Sequence, residues 1–504
     1  MPRLQTGGSG LKCPDASPGG AVFDGDNTMR VPTRLLLLIL IAIVGLPILF
    51  LYVERRPFFF ANTTYLGGII ALEVIAVCLW HYEKVFLPVT MWTFLAAAVA
   101  LPLSGASYTL RWVFLAIGAF AGFVLWIKTN RERHFGVFHL VALFCVFSAM
   151  ASASSSAAAK TGLLKTGSLF LLFLYAATGG RLALWGRERS FLRGLTMACE
   201  VAAFVSGAAY LTGYDLFGNP NNMGAFIGVL VVPVLLWSVV TTEDSTERRR
   251  RLLALAICGG LLYASVCRSA IVAVFAVTAT VTMALRRPGL VLKTAFVIAL
   301  FVEIMAVGNP SRVSAWVDSF AGRFVFKNIG THNGLFGSRQ SPWDDTIAAV
   351  KQHPLFGTGF GTSALGTEQR SSRESDISTV YGTNREHGSS YLAMAEYMGL
   401  LGILPFLLLL ALLVRNILRM FAWMRRTGTA AHWGAPFALI TLAGLIHAGF
   451  EDWLFAPGSY LCVFFWVSAF LLIDCAQSAR SDLRMVSLRP TPAFTRAAGI
   501  GRSA

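Results

Sequence analysis

The chain has 504 residues, of which 55% are hydrophobic and only 13% are charged. Soluble proteins carry about a quarter of charged residues, so this composition excludes a set of ordinary soluble domains and predicts a membrane protein. The formal net charge of +16 does not indicate a nucleic-acid partner, because the Lys and Arg residues form short clusters between apolar runs, where they set membrane orientation.

Long apolar runs recur along the chain and predict membrane-spanning helices. A helix needs about 20 apolar residues to cross a bilayer, and residues 35–44 lack the alternation that barrel strands require. We therefore predict an all-α fold, a polytopic membrane helix bundle of about 12–14 transmembrane helices with one large loop that contains short helices. One of these short helices is predicted to begin near Pro342 and to end before Pro354. The candidate spans are 34–53, 65–80, 85–103, 110–127, 135–155, 166–180, 193–213, 222–241, 252–266, 269–285, 290–307, 391–414, 434–449 and 458–474.

The cations predict which loops face the cytoplasm. Basic clusters follow alternate spans, whereas loops 213–221 and 451–460 contain no Lys or Arg, so we place these two loops and the long loop on the outer face. Lys160 and Lys165 are among the cations that go against this rule. The predicted organisation is a disordered cytoplasmic tail (1–33), transmembrane helices (34–307), the large outer loop (308–389), further transmembrane helices (390–475) and a cytoplasmic tail (476–504).

Several polar residues fall at the predicted outer face, among them Glu451 and Asp452. Arg268 lies between two apolar runs that form either a tight helical hairpin or a re-entrant element. A charge there is costly unless it is used or anchored at the interface, and Arg339 is either functional or a solvated loop cation. Because guanidinium groups match phosphate oxygens, these two arginines are the best candidates to hold a diphosphate-linked lipid.

His387 precedes an apolar helix for which Ser389 or Ser390 is the predicted cap. An imidazole can take a proton from a sugar hydroxyl near neutral pH, so His387 is either a general base or a surface residue. Glu396, further along this helix, either braces the helix or contacts an acceptor. The chain shows no metal-type spacing and no nucleotide-binding or nucleophilic-serine motif, so we expect no metal and no cofactor.

Four ordered segments resemble the O-antigen ligase and Wzy-type polymerase superfamily of bacterial surface-polysaccharide proteins. They are 219–224 (NPNNMG), 265–270 (SVCRSA), 339–343 with 353–361 (RQSPW and HPLFGTGFG), and 387–402. The family usually has Asn or Ser directly after the His, whereas Gly388 stands here, and Gly399 comes one residue later than expected. Either departure could shift the helix start and give Ser389 the role of the Asn.

The resemblance implies transfer of a glycan from a polyprenyl diphosphate carrier, on the periplasmic side of the bacterial inner membrane, to a sugar hydroxyl of a glycan or lipid A core. Arg268 and Arg339 would hold the diphosphate, and His387 would be the general base. We expect both termini in the cytoplasm and other polysaccharide-assembly proteins as partners. Ligase and polymerase remain open, with a preference for polymerase. The candidate substrate-binding residues are Arg385, Asn222, Glu396, Trp343 and Ser389.

The alternative function is a transporter or flippase of a lipid-linked saccharide. Such a protein would place its polar site near the bilayer midplane in broken helices. Glu73, Glu200 and Glu303 lie in apolar runs and would support this alternative if they lined one midplane cavity. The densest polar set lies at the outer face, which favours the transferase.

Overall fold

The computed structural model describes residues 63–99, 104–129, 135–156, 158–286, 337–362 and 387–488. Within these ranges the chain is helical and contains no strand, which confirms the all-α class. The predicted tail 1–33, the predicted spans 34–53 and 290–307, Glu303 and Arg385 lie outside the described residues, as does most of the predicted outer loop.

The helices of the described ranges are numbered in chain order. They are α1 (Thr63–Trp80), α2 (Leu87–Ala96), α3 (Ser104–Lys128), α4 (Val137–Ser154), α5 (Ala159–Leu184), α6 (Glu188–Leu211), α7 (Pro220–Thr241), α8 (Ser245–Ser265), α9 (Arg268–Ala284), α10 (Gly337–Gln352), α11 (Ser390–Gly402), α12 (Leu404–Thr427), α13 (Ala435–Ala448) and α14 (Tyr460–Leu488).

The chain divides into two compact units, Met1–Trp80 and His81–Ala504. In the first unit the structure describes α1, on which Glu73 is exposed. The second unit contains α2 to α14 and all of the site residues described below.

Seven of the described helices are long and apolar enough to cross a membrane, namely α3 to α7, α12 and α14. Helices α9 and α13 are apolar but shorter. Large apolar side chains on α4, such as Leu140, Phe144 and Phe147, are exposed, as expected where a helix meets hydrocarbon rather than water. The polytopic membrane bundle is thus confirmed, while the total of 12–14 spans stays a prediction.

Helix α14 forms the centre of the second unit. It packs against α12 and α13, and α13 in turn packs against α9. Its aromatic side chains Phe465, Trp466 and Phe470 are at most 1% exposed. Because α13 ends and α14 begins at the same end of the bundle, the short segment between them lies near the start of α9, and this segment carries Glu451 and Asp452.

The structure differs from the predicted elements in two places near the site. The predicted span 391–414 is instead two helices, because Gly399 adopts φ 62° and ψ −175° and breaks the helix just before α12 begins. Helix α10 begins at Gly337, so Pro342 lies inside the helix rather than at its start. The first difference shapes the site, since the break interrupts α11 three residues after Glu396.

Candidate active site

His387 is completely buried and lies between two carboxylates. Its Nδ1 is 2.9 Å from Oδ2 of Asp452, and the same carboxylate oxygen accepts the backbone N–H of His387 at 3.3 Å. Its Nε2 is 3.3 Å from Oε2 of Glu396, within ion-pair distance, although the two atoms are not aligned as a hydrogen bond. The Glu396 side chain is also fully buried, whereas that of Asp452 is 30% exposed. Asp452 is therefore the member of this set that faces outward.

The two carboxylates control the proton affinity of His387. Burial disfavours the imidazolium and lowers the pKa of His387, whereas the bond to Asp452, the contact with Glu396 and the charges of both carboxylates raise it. The carboxylates outweigh burial, so the pKa lies above its ordinary value of 6.5. An imidazole in this position binds a proton readily and holds it between two negative charges.

Ser389 and Ser390 attach α11 to the segment between α13 and α14. Ser389 occupies the N-cap position, but its side chain makes no capping hydrogen bond. The backbone N–H and the hydroxyl of Ser390 both donate to the carbonyl of Glu451, at 3.1 and 2.6 Å, and its Oγ accepts the N–H of Leu454 at 3.1 Å. This double attachment keeps Asp452 beside His387.

Gly388 and Trp343 explain the local departure from the family pattern. Gly388 has φ +68°, and a Cβ there would meet Nε1 of Trp343 at 3.0 Å. The indole N–H of Trp343 donates to the carbonyl of Gly388 at 3.2 Å. A residue with a side chain would be strained at this φ and crowded by the tryptophan, so glycine suits this position and Trp343 supports the His387 backbone.

The two candidate diphosphate ligands lie near each other. The guanidinium of Arg339, on α10, forms an ion pair with Glu451, and the two side chains are 14% and 22% exposed. Arg268 is the first residue of α9, and Arg339 is close enough to repel it electrostatically. Arg339 and the His387 set are joined through Glu451, which directly precedes Asp452.

Helix α11 breaks at Gly399, and residues 354–361 after α10, here called the glycine turn, pack against the break. Because the helical ladder stops there, the carbonyls of Glu396 and Tyr397 are freed. They accept the backbone N–H groups of Thr358 and Gly359, at 2.9 and 3.1 Å. The turn thus holds the part of α11 that carries Glu396.

The same two segments also bond in the opposite direction. The N–H groups of Leu400 and Leu401 donate to the carbonyls of Pro354 and Leu355, at 2.7 and 3.2 Å. A Cβ on Gly357 would lie 2.5 Å from backbone atoms of the opposing segment, so two main chains approach here as closely as glycine allows. Residues 354–359 and the second half of α11 therefore form one interlocked backbone unit.

Helices α4 and α5 support this unit from the other side. The hydroxyl of Ser152 donates to the carbonyl of Tyr397 at 2.7 Å, and the Lys165 ammonium donates to the carbonyl of Gly361 at 2.5 Å. Lys165 was one of the cations that went against the orientation rule, and it contacts the candidate site region directly.

A comparison with protein families identifies the family of this region. Residues 253–407 match the model of the O-antigen ligase family. This segment is similar to the O-antigen ligase family and covers less than a third of the chain. The match confirms the resemblance drawn from the sequence, and it indicates a multi-pass bacterial membrane enzyme of glycosyl-transfer type. No curated protein matches the chain.

The matched segment includes Arg268, Arg339, His387 and Glu396 but ends before Asp452. Sequence reasoning placed Asp452 among the outer-face polar residues and gave it no role, and its position directly before Trp453 carried no signal for one. The structure shows it as the hydrogen-bond partner of His387.

The remaining candidate residues lie in different parts of the structure. Glu396 was expected either to brace the helix or to contact an acceptor, and the structure buries it against His387. Asn222 lies in the first turns of α7, where its carbonyl accepts the hydroxyl of Tyr460 at 3.0 Å. Among the described residues no cluster of His, Cys, Asp and Glu is arranged to hold a metal ion.

Glu200, which the flippase alternative needed, is part of an ion-pair cluster elsewhere. Its carboxylate accepts hydrogen bonds from Nε of Arg250 at 2.7 Å and from Nε of Arg251 at 3.1 Å. These arginines lie in the first turns of α8. Ser265 ends α8 at the opposite end, and Arg268 begins the next helix there. The pairing accounts for the buried carboxylate without a midplane cavity.

Proposed function

We propose that this site transfers a glycan from a polyprenyl diphosphate carrier to a sugar hydroxyl, at the periplasmic face of the bacterial inner membrane. The observation that carries the proposal is His387, held between Asp452 and Glu396 and joined through Glu451 to Arg339, with Arg268 within electrostatic range of Arg339. A base next to a cationic pair is the arrangement that such a transfer needs, because an anionic diphosphate leaves while a hydroxyl loses its proton.

The arginines bind the leaving group in this mechanism. Arg268 and Arg339 repel each other, so an anion between them is favourable, and a diphosphate offers oxygens to both guanidinium forks. Arg339 is paired with Glu451 in the free protein, which keeps its side chain oriented before the donor arrives. As the bond between the anomeric carbon and the diphosphate breaks, charge grows on the diphosphate oxygens, and the arginines stabilise it.

The His387 set removes the proton from the acceptor. The hydroxyl oxygen attacks the anomeric carbon, and its proton passes to the pair formed by Asp452 and His387. Both ring nitrogens of His387 already face carboxylates. The acceptor hydroxyl therefore approaches the exposed carboxylate of Asp452, and the proton is held on the buried imidazole of His387. Glu396 supplies the second negative charge that stabilises the imidazolium.

The acceptor decides between two forms of the same reaction. A polymerase passes the chain to another lipid-linked repeat unit, whereas a ligase passes it to a lipid A core. We prefer the polymerase on the sequence of 387–402, and the chemistry of the site is the same in both cases.

Substitution of the proposed groups tests the function. We expect His387→Ala and Arg268→Ala to abolish transfer while expression and membrane insertion stay at the wild-type level. The measurement is reconstitution with an undecaprenyl-diphosphate-linked glycan and candidate acceptors, followed by analysis of product size. A ladder of repeat units indicates a polymerase, and a single addition indicates a ligase.

The matched control is Arg250→Ala, which removes an arginine from the opposite end of the bundle and should leave transfer unchanged. Full activity of His387→Ala would contradict the proposed base.

A further inference from the structure

His447 lies at the end of α13 and is 1% exposed. The indole N–H of Trp453 donates to its Nδ1 at 2.8 Å. An indole nitrogen only donates, so Nδ1 must carry the lone pair, and the proton of the neutral imidazole is on Nε2. The tautomer of His447 is thus fixed by its partner.

The other ring nitrogen points toward the start of α9. Nε2 of His447 lies 3.9 Å from Sγ of Cys267, within hydrogen-bond distance for sulfur. Cys267 is the N-cap residue of α9, is 2% exposed, and also lies 3.4 Å from Oγ of Ser269. It directly precedes Arg268, so this contact holds the backbone from which that arginine projects.

Trp453 connects His447 to Asp452, which belongs to the other half of the site. It directly follows Asp452, whose carboxylate binds His387. Its ring is 7% exposed and packs on Phe465 with ring centroids 5.8 Å apart. A shift of the indole would therefore move the backbone that carries Asp452.

We propose that His447 is a positioning residue that fixes Arg268 and Asp452 in one geometry, through Cys267 on one side and Trp453 on the other. The inference rests on the proposed function, because these two residues are taken to serve the donor and the acceptor. Transfer requires both to be in place at once, and a displacement of about 1 Å costs about 100-fold in rate.

Three substitutions of His447 separate its two contacts. Asn places an amide oxygen as many bonds from Cβ as Nδ1, so it can still accept from Trp453 but does not reach Cys267. Gln places its amide nitrogen at the level of Nε2, so it can still reach Cys267 but loses the Nδ1 acceptor. Phe keeps the approximate volume of the ring and removes both contacts.

The expected result is a split between binding of the donor and rate of transfer. With an undecaprenyl-diphosphate-linked glycan as donor, His447→Asn should raise the donor KM about 10-fold with a smaller fall in kcat, since the Arg268 side is loosened. His447→Gln should lower kcat about 10-fold with the donor KM nearly unchanged. His447→Phe should show both effects, a loss of about 100-fold in kcat/KM.

Substitutions of the partners keep the test decisive if a His447 variant does not fold. Cys267→Ala should reproduce the effect of His447→Asn, and Trp453→Phe that of His447→Gln. His432→Gln is the matched control. His432 is another buried histidine, 5% exposed, and it lies just before the first residue of α13, whereas His447 lies near the last. It should change neither kcat nor the donor KM.

Two results overturn the positioning role while leaving the proposed function intact. One is a wild-type kcat and KM in every folded His447 variant when Arg268→Ala is inactive. The other is a fall in kcat/KM that follows the drop in Tm in all His447 variants, with no split between kcat and donor KM. That result indicates a structural role only. A wild-type protein that neither binds undecaprenyl diphosphate nor transfers the glycan overturns both proposals.

Discussion

At the scale of single residues, the chemistry of the site depends on which groups surround His387. A histidine on a loop is an ordinary weak base, but this one has a carboxylate at each ring nitrogen and no exposed surface. The two negative charges raise its pKa against the effect of burial and stabilise the charged ring that forms when it takes a proton. Asp452 does this from the exposed side and Glu396 from the buried side.

Asp452→Asn should change both the rate of transfer and its dependence on pH. His387 accepts a proton only when neutral, so wild-type activity should fall as the pH drops through a pKa above 6.5. Without the Asp452 charge this pKa falls, and the acidic limb of the pH–rate profile should move to lower pH. The maximal rate should fall about 100-fold or more, because the ring loses the group that orients it.

The measurement is the pH profile of kcat/KM in the reconstituted transfer reaction. Asp215→Asn, an exposed carboxylate between α6 and α7, is the control and should leave the profile unchanged. An acidic limb at the same pH in Asp452→Asn would contradict the coupling of Asp452 to His387.

At the scale of secondary structure, the break in α11 is the element that makes the site possible. An uninterrupted helix would carry Glu396 and the residues after Gly399 straight into α12. The break lets the glycine turn insert its main chain, and hydrogen bonds run in both directions between the two segments. Glu396 is thereby held by its own backbone as well as by its side-chain contact with His387.

Gly399→Ala should destabilise the protein more than an equivalent change elsewhere. Alanine at a positive φ costs about 1 kcal/mol, and at Gly399 its Cβ would also lie 2.5 Å from the backbone of Leu355. We therefore expect a loss of about 3 kcal/mol or more, together with reduced transfer. Thermal unfolding of the purified protein measures the first effect.

Gly428→Ala is the matched control for this change. Gly428 ends α12 with φ +69°, and a Cβ there meets nothing within 4 Å. Its substitution should cost only the backbone penalty of about 1 kcal/mol. Equal shifts in Tm for the two variants would contradict the close approach at Gly399.

At the scale of the whole molecule, a buried ion pair joins two spans away from the site. Arg181, which follows a π-helical turn in α5, donates from Nε and Nη2 to both oxygens of Asp474 on α14, at 2.7 and 2.8 Å. Its guanidinium also lies 4.2 Å from the ring centroid of Trp126 on α3. The pair therefore links three helices in a region where neither charge meets water.

Loss of one member of this pair should be more harmful than loss of both. Arg181→Met leaves Asp474 buried without its partner and should destabilise the protein by about 3–5 kcal/mol. The double variant Arg181→Met with Asp474→Leu should recover most of that loss, since apolar residues of similar size replace a buried pair at little cost.

The measurement is the Tm of each variant beside its rate of transfer. Asp474 lies about 20 Å along α14 from Tyr460, so the double variant should retain wild-type transfer. A double variant as unstable as Arg181→Met would contradict the unpaired charge of Asp474 as the cause of that instability.

The sequence by itself determined the membrane class, the helical content and the positions of most of the described helices, because these depend on local runs of apolar residues. The predicted spans 135–155 and 269–285 agree closely with α4 and α9. It also brought forward Arg268, since an arginine between apolar runs is unusual by its chemistry alone, and the family resemblance added Arg339 and His387.

Only the tertiary structure decided which groups meet. Asp452 lies 65 positions from His387, and Asp474 lies 293 positions from Arg181, so no local pattern connects either pair. The break at Gly399 also needed the structure, because it is stabilised by main-chain hydrogen bonds from a distant glycine turn rather than by the residues of α11. Apolar runs report what a segment prefers by itself, whereas partners of buried polar groups are chosen by how the helices pack.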